Sequence, residues 1–70
     1  MNKTSARNKL KGVIKSVTTG TVTAEVIIEL EGGQEVASII TKGSVQELEF
    51  KEGDEVYAII KATSVMVGKE

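Results

Sequence analysis

Two short segments near opposite ends of this 70-residue chain combine hydroxyl, amide and cationic side chains with no carboxylate among them. The first, Ser5-Ala6-Arg7-Asn8-Lys9-Leu10-Lys11-Gly12, packs a hydroxyl, a guanidinium, an amide and two ammonium groups into seven residues. The second, Ile60-Lys61-Ala62-Thr63-Ser64-Val65-Met66-Val67, places Lys61, Thr63 and Ser64 together at a strand-to-strand junction. Such groups supply hydrogen-bond donors and positive charge, which describes an anion site. The same residues also describe a solvated basic edge that discourages strand pairing, and residue types alone leave both readings open.

Other chemistries are poorly served. The chain has no Cys and no His, so disulfides, thiolate metal sites and the commonest neutral metal ligand and general base are all missing. No metal cation site is expected. A Ser–Lys pair, Ser5 or Ser64 with Lys61, is the catalytic option left, and neither an oxyanion-hole motif nor a nucleophile elbow accompanies it. The chain therefore reads as a binding protein and not an enzyme. A net charge of −1, with Phe50 and Tyr57 the two aromatics, offers neither a positive groove nor a stacking platform for nucleic acid. No polybasic anchor and no apolar run of membrane-spanning length is present, and Met1 to Arg7 is polar with no hydrophobic signal region. No nucleic-acid or membrane partner is expected, and the expected location is cytoplasmic.

The elements that must position the two segments are strands. Between Thr21 and Glu31, Val22, Ala24, Val26, Ile28 and Leu30 occupy one parity and mostly Thr and Glu the other, the period of a half-buried strand. Asn8 to Thr18 reads as a strand with an irregularity, Gly12 marking a bulge or a close backbone approach. Gly32-Gly33 signals a hairpin into Gln34–Thr41. Ser44-Val45-Gln46-Glu47 matches a capping box, with Ser44 as N-cap and Val45 and Leu48 on one face of a short helix. Lys51 to Asp54 reads as a turn before a strand over Glu55–Lys61, and Ser64–Val67 as a fifth strand. Three strands, a short helix and two strands predict an all-β fold, a five-stranded Greek-key barrel of the oligonucleotide-binding (OB) type with its helix between strands 3 and 4.

A single domain over residues 1–70 buries little surface, and with disulfides excluded the stabilising device left is oligomerisation. Ile27, Ile39 and Ile59 fall on faces opposite the predicted core, where a subunit interface would cover them.

The opening segment resembles the Ser-Ala-Arg-Asn-x-Leu-x-Gly start of the molbindins, small molybdate-binding proteins of the transport-associated OB-like family. Ile60-Lys61-Ala62-Thr63-Ser64-Val65-Met66 resembles that family's Lys-Ala-Thr/Ser element, and Gly20–Val26 and Ile40-Thr41-x-x-Ser44-Val45-x-x-Leu48 are also similar to family stretches. The resemblance implies a homohexamer, a trimer of dimers, that binds molybdate or tungstate at subunit interfaces for intracellular storage or buffering, with no organic cofactor. An oxyanion sensor or a donor to molybdenum-cofactor assembly is the alternative within the family. Carried over by motif, the oxyanion ligands would be Ser5, Arg7, Asn8, Lys61, Ala62 and Thr63, with Thr21 and Val22 contributing through main-chain groups.

Overall fold

The computed structural model describes residues 4–70; Met1–Lys3, part of the stretch that reads as lacking a signal region, lies outside them. In chain order come β1 (Asn8–Thr19), β2 (Thr23–Leu30), β3 (Glu35–Thr41), α1 (Lys42–Leu48), β4 (Glu55–Ile60) and a 3-10 turn at Ala62–Ser64. The strands form one curled antiparallel sheet in the order β3-β2-β1-β4.

β1 organises this sheet because it serves two neighbours in succession. Its first half, Asn8–Val13, pairs with β4, and its stretch from Gly12 to Thr19 pairs with β2. Against β2 the register steps between Ile14 and Ser16, so Lys15 is the extra residue of a β-bulge, which bends the strand and increases its twist. Gly12 sits at the overlap and is a close backbone approach: a Cβ there would lie 2.6 Å from the Glu29 carbonyl oxygen and 2.7 Å from Ile28 Cγ2. The irregularity expected at Gly12 thus divides between two residues, the close approach at Gly12 and the bulge at Lys15.

The core follows the alternation read in β2. Ala24, Val26 and Ile28 are buried beside Ile14, Val45 and Ala58, with Val17, Leu30, Val36, Ile40, Phe50 and Val56 packed around them. Ile14 is the most deeply buried large side chain at 2% exposure. Its main chain is held twice, its N–H donating to the Asp54 carbonyl at 2.9 Å and its carbonyl accepting from Gly53 N–H at 2.9 Å. At the β2–β3 hairpin Gly32 and Gly33 both take positive φ, +92° and +91°, as the tight connection requires. Ile39 and Ile59 are exposed on the outer face, and Ile27 is half covered there.

The helix begins three residues earlier than the capping-box reading. Thr41 is the N-cap: its backbone is still extended, and its Oγ1 accepts the Ser44 N–H at 3.0 Å while donating to Ser44 Oγ at 2.7 Å. Ser44 is therefore the third helical residue. So short a helix buries Val45 but leaves Leu48 exposed. It ends at Glu49, a non-glycine residue in the left-handed region (φ 55°, ψ 40°).

The predicted fifth strand is a correction. Four strands are present among the described residues, and Ser64–Val67 is not one of them. After β4 the chain turns at Ala62–Ser64, and Val65, Met66 and Val67 then leave the sheet, Met66 and Val67 being 93% and 96% exposed. A strand needs a ladder partner, and past the turn this segment meets neither free edge of its own sheet. The barrel is accordingly open between β3 and β4, where a mainly apolar cavity of about 450 Å3 is lined by Val26, Val36, Ile40, Phe50, Val56 and Ile60 among others. Among the described residues no helix is long and apolar enough to cross a membrane.

Two substitutions test these assignments. Gly12→Ala forces backbone against backbone and should destabilise the protein by roughly 2 kcal/mol, read as a lower urea midpoint. Glu49→Gly relieves the left-handed backbone and should stabilise it by about 0.5 kcal/mol in the same measurement, a loss there indicating that Glu49 has another role.

Candidate anion site

The β1–β4 register decides what the two donor segments can do together. Asn8 lies opposite Ile60 as the last pair of that ladder, so Thr4–Arg7 enters the sheet beside the point where Lys61–Ser64 leaves it. Segments more than fifty residues apart in the chain thereby share one end of the molecule. The Asn8 side chain ties them, its Nδ2 donating to the Ile60 carbonyl at 3.1 Å.

Each segment has its own anchors. In the opening one, Ala6 is buried at 7% exposure and its N–H donates to Thr4 Oγ1 at 3.1 Å, while Ser5 and Arg7 on either side of it are exposed. In the closing one, Lys61 holds an extended backbone and caps the 3-10 turn, its carbonyl accepting Ser64 N–H at 2.9 Å, and the Ala62 carbonyl accepts Val65 N–H at 3.3 Å. The Ala62 and Thr63 N–H groups at the head of this turn meet no backbone acceptor among the described residues, and Lys61, Ala62 and Thr63 are all exposed.

The electrostatics match that donor set. Among the described residues the ion pairs are Lys15–Glu35 and Lys51–Asp54, both outside the two segments. Arg7 and Lys61 are thus cations with no carboxylate partner there. Lys15, at the bulge, is held above its ordinary pKa by its hydrogen bond to Glu35 and by that carboxylate's charge. Among the described residues no cluster of His, Cys, Asp and Glu is arranged to hold a metal cation.

Ser5, Arg7, Asn8, Lys61, Ala62 and Thr63 are therefore brought to one end of the fold, and Thr21 and Val22 are not. They lie in the β1–β2 connection, at the far end of the twelve-residue β1, a strand that would span roughly 35 Å when fully extended. Val22 is 71% exposed, and its carbonyl accepts the Lys42 N–H at 2.8 Å. Reading by residue type misses the holding roles of Thr4 and Ala6; the available signal is a small apolar residue alternating with polar ones just ahead of a strand.

Residues 4–67 match the family described as the TOBE domain. The probable molybdenum-pterin-binding protein of Haemophilus influenzae is 52% identical over 68 residues, which cover 97% of this chain and 99% of that one. The solved structure of MopII from Clostridium pasteurianum superposes with a TM-score of 0.90 at 48% identity, covering 96% of this chain and 100% of MopII. The cytoplasmic molybdate-binding protein ModG, solved with molybdate bound, superposes with a TM-score of 0.87 at 47% identity over 91% of this chain and 45% of its own. MopII shares the all-β fold with its curled antiparallel sheet and single short helix. Matched over nearly its whole described length, the chain belongs to the TOBE domain family, alongside the small molybdenum-pterin-binding proteins.

Proposed function

We propose that this protein binds molybdate, or the similar tungstate, at interfaces between copies of itself, and serves as a store or buffer for the oxyanion in the cytoplasm. The observation that carries this reading is the Asn8–Ile60 register, which sets two carboxylate-free donor segments side by side. Supporting it are the molybdenum-pterin-binding relative and the ModG structure with molybdate bound. The working unit is a single domain over residues 1–70, and its role is binding without catalysis.

The ligand chemistry suits these groups. Molybdate and tungstate are tetrahedral dianions without a proton at neutral pH, so all four oxygens only accept hydrogen bonds. The Ser5 and Thr63 hydroxyls, the Arg7 guanidinium, the Lys61 ammonium and the Ala62 and Thr63 N–H groups all donate, and the charged donors make the stronger bonds. Phosphate commonly keeps a proton at this pH and needs an acceptor for it. In a carboxylate-free pocket that proton goes unpaired, at a cost of about 1–3 kcal/mol. Sulfate, also unprotonated, is discriminated by its smaller size.

An interface site accounts for the remaining geometry. Thr21 and Val22 can join the other donors on one anion when they come from a second copy, because a single chain holds them at opposite ends of β1. A contact that sets one end of a chain against the opposite end of the next closes as a ring or runs on as a filament. Three dimers joined in a closed ring make the homohexamer, a trimer of dimers. The exposed Ile39 and Ile59, the projecting Val65–Val67 and the open cavity between β3 and β4 offer apolar surface for the second contact such an assembly needs.

Two measurements test this. In native mass spectrometry with molybdate, tungstate, sulfate or phosphate, the protein should appear as six chains retaining molybdate or tungstate and no phosphate; a monomer retaining neither metal oxyanion overturns the reading. Molybdate at a hundredfold excess over its Kd should raise the Tm by about 10–20 °C. Lys61→Ala should abolish most of that rise, and an unchanged shift removes Lys61 from the site.

A further inference from the structure

We propose that Asn8 is a positioning residue, whose side-chain amide locks the opening and closing segments into one preorganised unit before an anion arrives, an inference that rests on the anion-binding reading. Its Nδ2 donates to the Ile60 carbonyl at 3.1 Å, across 52 positions of sequence, and the residue is half-buried. An amide side chain has two N–H donors and one carbonyl acceptor. With one donor committed to Ile60, and with the acceptor useless to an anion that itself only accepts, a single side-chain N–H of Asn8 is left for the ligand. Ser5 and Arg7, by contrast, are exposed and carry no side-chain carbonyl.

The placement of the bond explains what it holds. The Ile60 carbonyl and the Lys61 N–H belong to the same planar peptide unit, so fixing the carbonyl fixes the plane from which Lys61 starts. The bond also sits at the last pair of the β1–β4 ladder, where a strand end would otherwise fray. On the opening side, Ala6 is pinned by burial and by its bond to Thr4. Residues 6 and 8 hold the segment to the fold, and residues 5 and 7 between and beside them are left to meet the ligand. Segments ordered in advance do not charge their ordering entropy against anion binding.

The experiment compares wild type, Asn8→Ala and Ser5→Ala by molybdate calorimetry and by backbone amide order parameters in the molybdate-free protein. Wild type should bind molybdate and be rigid at Lys61–Thr63, with order parameters of about 0.85. Asn8→Ala should lower them below about 0.6 while β2 and β3 stay rigid, and weaken molybdate binding about tenfold. Ser5→Ala should weaken binding and leave the order parameters unchanged. Weaker binding in Asn8→Ala with rigid Lys61–Thr63 makes Asn8 a direct ligand and overturns the proposal, as does mobile Lys61–Thr63 with unchanged affinity. Should Asn8→Ala not fold, Asn8→Ser takes its place; if neither folds, the bond serves the fold and not the site, and the proposal falls. A wild type that takes up no molybdate overturns the functional reading itself, and shows as such before any variant is compared.

Discussion

Everything at the candidate site depends on one register, that of β1 against β4. Side chains alternate along a strand, so a slip of one residue would turn Asn8 away from Ile60 and send Leu10 and Gly12 to the opposite face. Two features prevent it. Gly12 is pressed against the Glu29 carbonyl oxygen on the β2 side, a fit that a residue bearing a Cβ cannot make without displacement. Two residues further on, Ile14 is fixed by its buried side chain and by paired main-chain bonds to the Gly53–Asp54 turn. Past the bulge at Lys15 the rest of β1 pairs with β2 alone. A packing constraint in the middle of the strand thus determines which polar groups meet at its start.

Much of this is legible in the sequence, for identifiable reasons. β2 shows itself because a half-buried strand must alternate, and Ala24, Val26 and Ile28 do face the core. The hairpin shows itself because two consecutive positive φ angles favour the Gly32-Gly33 pair. The helix is visible, but its start is misplaced, because Thr41 and Ser44 are both competent N-caps and the choice depends on where β3 stops. The fifth strand misleads for a different reason. Val65-Met66-Val67 has strand composition, yet pairing is a property of two segments, and composition reports on one. Donor residue types could be named from the sequence, whereas the separation of Thr21 and Val22 from the others required the path of β1.

The site also shows a division of labour that residue type conceals. Thr4, Ala6 and Asn8 secure the opening segment, and Ser5 and Arg7 project from it. Alternation, which elsewhere in this fold separates core from solvent, here separates residues that hold from residues that are presented. A motif that mixes small, amide and charged residues is thereby accounted for without giving every member the same task.

The gap between β3 and β4 has a thermodynamic consequence. A sheet whose two edges both remain unpaired among the described residues, around an apolar hollow, leaves apolar surface that a second chain can bury. If another copy buries it, folding and association share one free energy, and mass action enters the stability of each subunit. Dilution then acts on such a protein as a denaturant does, and cellular abundance itself becomes a determinant of how much of it is folded.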